Sequence, residues 1–456
     1  MTRTTLALCT AGALVASNLA ATAENAPLRI ALFEADVTPP IGAPLCDALV
    51  QPAKQIVDRL SARGIILFST GKPTVLCAVD WVGIGNGGPR AFREALATSA
   101  GTDLERVCVH CLHPHDAPGC DFDANAILVP YGLGGKLFDA TFARDAITRT
   151  ADAVRKAVST PRLVDHVGIG KAQVFEVASN RRVPGPDGKV KYVRYSAMKD
   201  PKIRAEPEGL IDPYLQTIVF FSGPTPVAVL TYYATHPQSY YGQGGVSCDF
   251  PGLARGLREQ ALPGVTHIHF NGAGGNVTAG KYNDGSPSNR MVLAHRLAEG
   301  MKRAYESLKI EPVDASSLGW HTTTVRIPLS KRYSVQGESA KLADEKLPEL
   351  ERLKAARNLA WAKRSESGDK INVQCLRLGS ARVLHMPGEL FVEYQLAAQK
   401  MRPDLSVMMA AYGDYGPGYI GTADAYSQGG YETGRVSRVA PEVEGVLVSA
   451  MKELLK

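Results

Sequence analysis

The chain has 456 residues, 45% of them hydrophobic and 21% charged, with a formal net charge of +6 and no block of like charges. This is the composition of an ordinary globular protein with a sizeable core, and the charge is too dilute for a nucleic-acid footprint. After the N-terminus no stretch approaches about 18 consecutive apolar residues, so no membrane-spanning helix is expected in the mature chain.

The first residues read as a secretory signal over 1–23: Arg3, an apolar run from Leu6 to about Ala16, and the small-residue site Ala21-Thr-Ala23 before Glu24. The protein is therefore expected to be periplasmic or secreted. Cys9 lies inside the apolar run rather than after it, which argues against a lipid anchor. The mature chain keeps seven cysteines, an odd number at low density, so disulfides cannot be its main source of stability.

Strand-like runs at Leu28–Phe33, Gly64–Phe68 and Val75–Val82 precede a helical pattern over Arg90–Ala100 and a strand beginning at Val107. Thr217–Phe221 and Val227–Tyr233 form a hairpin pattern around Gly223-Pro-Thr-Pro226, followed by a helix over Phe250–Gln260. Val265–Phe270 is a strand entering a glycine-rich loop, and Met291–Leu308 is helical. The pattern predicts an α/β fold of mixed β-sheets with packed helices and its active site in loops at strand ends. A main catalytic lobe over 24–310 and a smaller C-terminal lobe of the same unit over 311–456 are expected, joined near Glu311–Ser317. The stretch Asn180–Ala205 is polar and turn-rich, which suits a loop over the site. Glu338–Glu366 reads as an amphipathic helix broken near Pro348 and packed on the outside.

The most informative segment is Val107-Cys-Val-His-Cys-Leu-His-Pro-His-Asp-Ala-Pro118, where His113 and His115 stand two apart at the end of a strand. Residues two apart on a strand share a face, so two imidazoles can address one point, as zinc sites require. His236, in Ala-Thr-His-Pro after another strand, and Glu389, in Met-Pro-Gly-Glu after a third, have the same grammar: an apolar strand, then a ligand-type side chain where the chain turns. Asp249 is a candidate for the carboxylate that orients a ligating histidine.

Three competing motifs are present. Cys108-Val-His-Cys111 has CxxC spacing, which suits a redox pair or zinc knuckle, but the strand is hydrophobic and no second CxxC completes a four-cysteine site, favouring two small core residues. Gly83-Ile-Gly-Asn-Gly-Gly88 formally matches a dinucleotide fingerprint, but no acidic residue ends the next strand, and a tight loop near the site is the better reading. Asn271-Gly-Ala-Gly-Gly-Asn-Val-Thr278 offers backbone N–H groups for an oxyanion or phosphate, or is a turn needing positive φ. Asn276-Val-Thr278 is also a glycosylation sequon.

In order along the chain, Ala35-Asp-Val-Thr-Pro-Pro-Ile-Gly42, Leu112-His-Pro-His-Asp-Ala-Pro118, Asn180-Arg181, Ala234-Thr-His-Pro237, Cys248-Asp-Phe-Pro-Gly252, the glycine loop, Met386-Pro-Gly-Glu389 and Gly418-Tyr-Ile-Gly421 resemble the neutral/alkaline, non-lysosomal ceramidases. These are zinc-dependent amidohydrolases, and the set covers nearly all of the mature chain. The resemblance implies zinc held by His113, His236 and Glu389, with Tyr419 a fourth ligand or oxyanion partner. Tyr412, Tyr415, Tyr426 and Tyr431 lie in the same stretch. It further implies His115 as an outer or acid/base group, Arg181 as a substrate clamp, and Thr278 as a hydroxyl near the scissile bond rather than the nucleophile. Two departures stand out. Gly275-Asn-Val-Thr278 replaces the family's Gly-Asp-Val-Ser, and there is no room for the β-sandwich domain of the larger ceramidases.

The expected function is thus an exported zinc-dependent hydrolase of an N-acyl amide, acting on a small-molecule or lipid amide without a stable membrane anchor. A zinc esterase or lactonase, or an inactive binding module that keeps the metal site, is the alternative.

Overall fold

In a computed structural model, residues 26–456 are described; the signal segment lies outside them. Three main sheets organise the chain. The first runs in the order Val107–Cys111, Thr74–Val79, Ser61–Phe68, Leu28–Asp36 and Arg162–Val164. The second runs Thr266–Asn271, Thr225–Tyr233, Tyr214–Ser222, His166–Gln173 and Lys309–Pro312. The third runs Leu318–Val325, Ile371–Leu378, Ala381–His385 and Ser406–Ala410.

The period of two along the strands divides each sheet's side chains between two cores. In the first sheet Ile65, Leu67, Leu76 and Cys108 point one way, into a core shared with Ile218, Leu230 and Phe270 of the second sheet and Leu376, Val383 and Met408 of the third. Ile66, Val75, Cys77 and Val79 point the other way, against Phe92, Ile147 and Val154 of the helices Gly87–Ala100 and Ala140–Val158. The second sheet carries Asp249–Ala261 and Asn289–Glu306 on its outer side, and Val443–Leu454 lies against the third. The sheets therefore face inward around one apolar cluster with helices outside, the mixed α/β architecture expected.

Each sheet contains one parallel pair: Thr74–Val79 with Val107–Cys111, Thr225–Tyr233 with Thr266–Asn271, and Ala381–His385 with Ser406–Ala410. The loops at the carboxyl ends of these strands carry His113, His236, the glycine loop, Glu389 and Tyr419. Carboxyl ends of parallel strands are where α/β folds build sites, and three sheets here supply one site jointly.

The broken amphipathic segment forms two helices, Val335–Ala343 and Glu349–Glu366, with Pro348 at the N-cap of the second. The segment near Glu311–Ser317 is no free linker. Lys309–Pro312 is the edge strand of the second sheet, and the third sheet starts at Leu318. All seven cysteines of the described residues are buried and free. Among these residues no helix is long and apolar enough to cross a membrane.

Arg255 and Asp80 form a buried pair at 2.8 Å that ties the helix Asp249–Ala261 to the end of the strand Thr74–Val79, with Asp80 also accepting from the Ser61 N–H and hydroxyl. Removing one partner leaves an uncompensated buried charge. Asp80→Ala should therefore cost about 3–5 kcal/mol of stability, read by denaturant unfolding.

Candidate metal centre and substrate cavity

His113 follows the first sheet's edge strand Val107–Cys111 at a left-handed turn with φ 74°, and its N–H donates to Trp81 O at 3.0 Å. Its Nδ1 donates to Val82 O. His236 Nδ1 donates to Gly274 O at 2.8 Å. A carbonyl oxygen only accepts, so both imidazoles carry a proton on Nδ1, and the neutral form of each presents a bare lone pair at Nε2. Those lone pairs converge on Glu389, whose Oε2 is 3.4 Å from His113 Nε2 and 3.1 Å from His236 Nε2. All three side chains are about 1% exposed or less. His113 Nε2 and Glu389 Oε2 have no hydrogen-bond partner.

Glu389 is placed by a Pro-Gly turn. Gly388 has φ 63°, and a Cβ there would lie 2.7 Å from Gly418 O. Glu389 then pairs in parallel register with Tyr419, which brings the two side chains to the same point. Tyr419 Oη accepts from Arg181 Nη1 at 2.9 Å and donates to His236 Nε2 at 3.1 Å. Burial lowers the His236 pKa to about 4, so its Nε2 is unprotonated at neutral pH.

Three acceptors facing one another, with the Tyr419 O–H on His236 Nε2 as their one donor among the described residues and Glu389 Oε2 and His113 Nε2 without any, form a cluster suited to a cation. Ligands about 2.0–2.2 Å from a tetrahedral zinc lie roughly 3.3 Å apart, and the Nε2–Oε2 separations here match that spacing. The donor set suits zinc.

His115 sits beside this cluster, its ring centroid 4.7 Å from that of His113 and 5.7 Å from that of His236. One ring nitrogen from each of His113, His115 and His236 lies within 4.8 Å of the others. His115 Nδ1 is buried without a partner. Burial first, and then the neighbouring His113 and His236, hold its pKa well below the usual imidazole value.

The cluster lies at a cavity of about 990 Å³ lined among others by His115, Arg181, Tyr195, Glu389, Tyr415 and Tyr419. Arg181 is fixed by its backbone N–H to Asn276 O at 2.7 Å and by Glu432, whose carboxylate lies 3.7 Å from Arg181 Nε and 3.2 Å from Arg182 Nη1. Asn180–Ala205 lies by the site as expected, with Tyr195, Ser196 and Ala197 lining the cavity. The start of this stretch is not exposed, since Asn180, Arg181 and Arg182 are buried.

Other expectations require correction. Asp249 orients no ligating imidazole; it accepts from the Ser239 and Phe250 N–H groups, steadying the turn after His236. The glycine loop has no positive φ at Gly272, Gly274 or Gly275. Its N–H groups hold no free anion site at Gly272, Ala273, Gly275 and Val277, which donate to Tyr233 O, Gln395 Oε1, Leu390 O and Gly274 O. The glycines permit close approach instead: a Cβ on Gly275 would stand 2.4 Å from Glu389 O. Thr278 Oγ1 accepts from the Gly280 N–H at 2.9 Å, fully buried. Asn276 is closed to a glycan, since its side chain is buried, donating to Glu393 at 2.8 Å and accepting from Val392 N–H at 2.9 Å.

Tyr415 and Glu432 were not assigned from sequence. Tyr415 Oη donates to Glu389 Oε1 at 2.6 Å, fixing the carboxylate's second oxygen. Gly83 of the dinucleotide-like motif makes room for it, since a Cβ there would lie 2.5 Å from the Tyr415 ring. Among five tyrosines between 412 and 431, only tertiary register distinguishes Tyr415 from Tyr419. Glu432 carries no signal in its own segment.

No family model matches the chain, and no curated protein matches it. Solved structures do. A ceramidase complexed with C2 superposes with a TM-score of 0.67 at 17% identity, over 94% of this chain and 75% of that one. The neutral ceramidase from Pseudomonas aeruginosa superposes with a TM-score of 0.68 at 18% identity, over 94% of this chain and 74% of that one. The chain has the ceramidase fold.

Gly275→Ala should drive its methyl into the Glu389 backbone, lowering stability by about 1–3 kcal/mol and reducing bound metal. Gly256→Ala, in the helix Asp249–Ala261 with open space around its Cβ position, should instead stabilise by roughly 0.5–1 kcal/mol. Thermal melts and metal analysis of the two variants check this contrast.

Proposed function

We propose that the protein is an exported zinc-dependent amidohydrolase that cleaves an N-acyl amide bond. The observation that supports this most is the buried set of three acceptors, His113 Nε2, His236 Nε2 and Glu389 Oε2, opening on a large cavity in a ceramidase fold. His113, His236 and Glu389 would hold the ion, with Tyr419 at its edge. Zinc supplies a Lewis acid that acidifies water and polarises a carbonyl.

The chain's own residues do the rest. Arg181 and Tyr419 aim an N–H and an O–H toward the centre, where they steady negative charge developing on the carbonyl oxygen. His115 takes a proton from the attacking water at its free ring nitrogen and passes it to the departing amine. Tyr415 keeps Glu389 from rotating. Thr278 acts at most on substrate position, since its hydroxyl is already engaged by Gly280.

The cavity walls bear on the substrate. Lys341, Lys354 and Arg357 are paired with Glu338, Glu351 and Asp47. Arg332, Arg435 and Arg438 line the same cavity with no carboxylate at ion-pair distance among the described residues. An alkyl chain contributes about 0.8 kcal/mol per CH2 only where an apolar groove receives it. Leu49, Val50, Leu137, Leu347 and Val436 line it too, so apolar surface is present beside these arginines, and the arginines favour a shorter amide with a polar or anionic end over long-chain ceramide.

The expected outcome is about one zinc at this centre and turnover of N-acyl chromogenic amides that chelator abolishes. Replacing His113, His236 or Glu389 by alanine should remove this zinc, whereas His115→Ala should keep it and lose rate. Loss of metal from His115→Ala would make His115 a ligand. Turnover of esters alone would point to an esterase or lactonase on the same centre, and no turnover with zinc fully bound to a binding module.

Across N-acyl amines differing only in chain length, kcat/KM should stay flat or fall toward ceramide. A steep rise with length would contradict the reading of the cavity.

A further inference from the structure

A second group of ligand-type side chains lies behind the first. Cys108 and His110 stand two apart on the strand Val107–Cys111 and so share a face. His385 ends the third sheet's strand Ala381–His385, and the shared core brings it against them. One donor atom from each of the three lies within 4.8 Å of the others. Cys108, His110 and His385 are 3%, 3% and 1% exposed.

The hydrogen bonds fix the tautomers. His110 Nδ1 lies 2.8 Å from Ala411 O, so it carries the proton and leaves Nε2 bare. His385 Nδ1 is 2.9 Å from that Nε2 and donates to it in the metal-free state. His385 Nε2 is then a bare acceptor, buried with no partner. Cys108 Sγ donates to Gln374 Oε1 at 3.4 Å. A second cavity of about 710 Å³ is lined by Cys108, His110, Gln374 and His385, which gives an entry path and room for water.

We propose that Cys108, His110 and His385 form a second metal site for Zn2+, separate from the centre at His113, His236 and Glu389. One thiolate and two imidazoles are the ligand types that select zinc over magnesium or calcium. The ion sits between Cys108 Sγ, His110 Nε2 and His385 Nδ1, with a cavity water as fourth ligand. On binding, Cys108 loses its thiol proton to solvent. The His385 proton moves from Nδ1 to Nε2, so one proton leaves per ion. His110 keeps its Nδ1–H on Ala411 O, which holds the ring in place. Gln374 turns its amide to offer an N–H to the thiolate. The ion would tie the first sheet to the third, three residues before His113 and four before Glu389, and act as a structural staple behind the active site.

The site differs from the first in containing sulfur, which gives the test. The purified full chain is loaded with Zn2+ for stoichiometry and with Co2+ for spectroscopy. Two zinc ions per chain are expected, with a thiolate-to-cobalt charge-transfer band in the near ultraviolet. Cys108→Ser and His385→Gln should each lower the count by one and abolish the band, while His113→Ala lowers the count and keeps it. A folded wild-type chain without the band, or a band that survives Cys108→Ser, overturns the proposal. The wild-type measurement decides even if a variant fails to fold. A band accompanied by a single zinc that His113→Ala does not remove would support this site and refute zinc at the other.

Discussion

The site depends on one close contact, the passage of Gly274 and Gly275 between the turn after the second sheet and the start of the Glu389 segment. Gly274 O accepts the His236 Nδ1 proton and so decides which nitrogen faces the centre. Gly275 N–H donates to Leu390 O at 2.8 Å, and its Cβ position is already occupied by the Glu389 carbonyl. One dipeptide therefore sets the tautomer of His236 and the position of Glu389. The next residue, Asn276, extends the control. Its carbonyl receives the Arg181 N–H and its side chain bridges Glu393 and Val392, so one loop helps to position Arg181, His236 and the Glu389 segment.

The electrostatics follow from that geometry. A buried carboxylate beside two neutral imidazoles whose protons point away is unfavourable without a cation. The nearest donors, Tyr419 and Tyr415, bind the rim of the cluster, one at His236 Nε2 and one at the far oxygen of Glu389. They leave Glu389 Oε2 and His113 Nε2 open to each other. Arg181 adds positive charge at one remove, with Glu432 as its counter-ion. The result is an acceptor-rich centre inside a donor-bearing wall.

The sequence made the strand ends legible because their grammar is local: an apolar run, then His-Pro or Pro-Gly-Glu at the turn. His113, His236 and Glu389 fall within reach of one another for that reason. What orients them was not legible, since Val82 O and Gly274 O are main-chain atoms that carry no residue type, and Asp249 drew attention only as a carboxylate near a ligand segment. Tyr415 could not be separated from Tyr419 without the parallel register that sets Tyr419 opposite Glu389. The glycines of 271–278 were visible as a motif, but whether they answered to positive φ or to close approach is a tertiary question. The neighbours of Cys108 were hidden more deeply. Gln374 and His385 join it only because the first and third sheets share a core.

The segment from Val107 to His115 shows how one strand serves two sides of the molecule. Along Val107–Cys111 the side chains alternate, with Cys108 in the core shared by the sheets and Val109 and Cys111 on the helix side. Continued alternation would merely extend these two faces. The left-handed turn at His113, φ 74°, ends it and bends the chain around Trp81 and Val82. A non-glycine residue in that region costs about 1–3 kcal/mol and persists only where its surroundings over-determine it. Here Trp81 O takes the His113 N–H, Val82 O takes its ring N–H, and Tyr412, itself at φ 62°, stacks on the ring at 4.6 Å. Trp81 is anchored in turn by its indole N–H on Val37 O at 3.0 Å and by the edge of Phe92. The strain at His113 is therefore held by the packed core, and the imidazole reaches the centre already oriented.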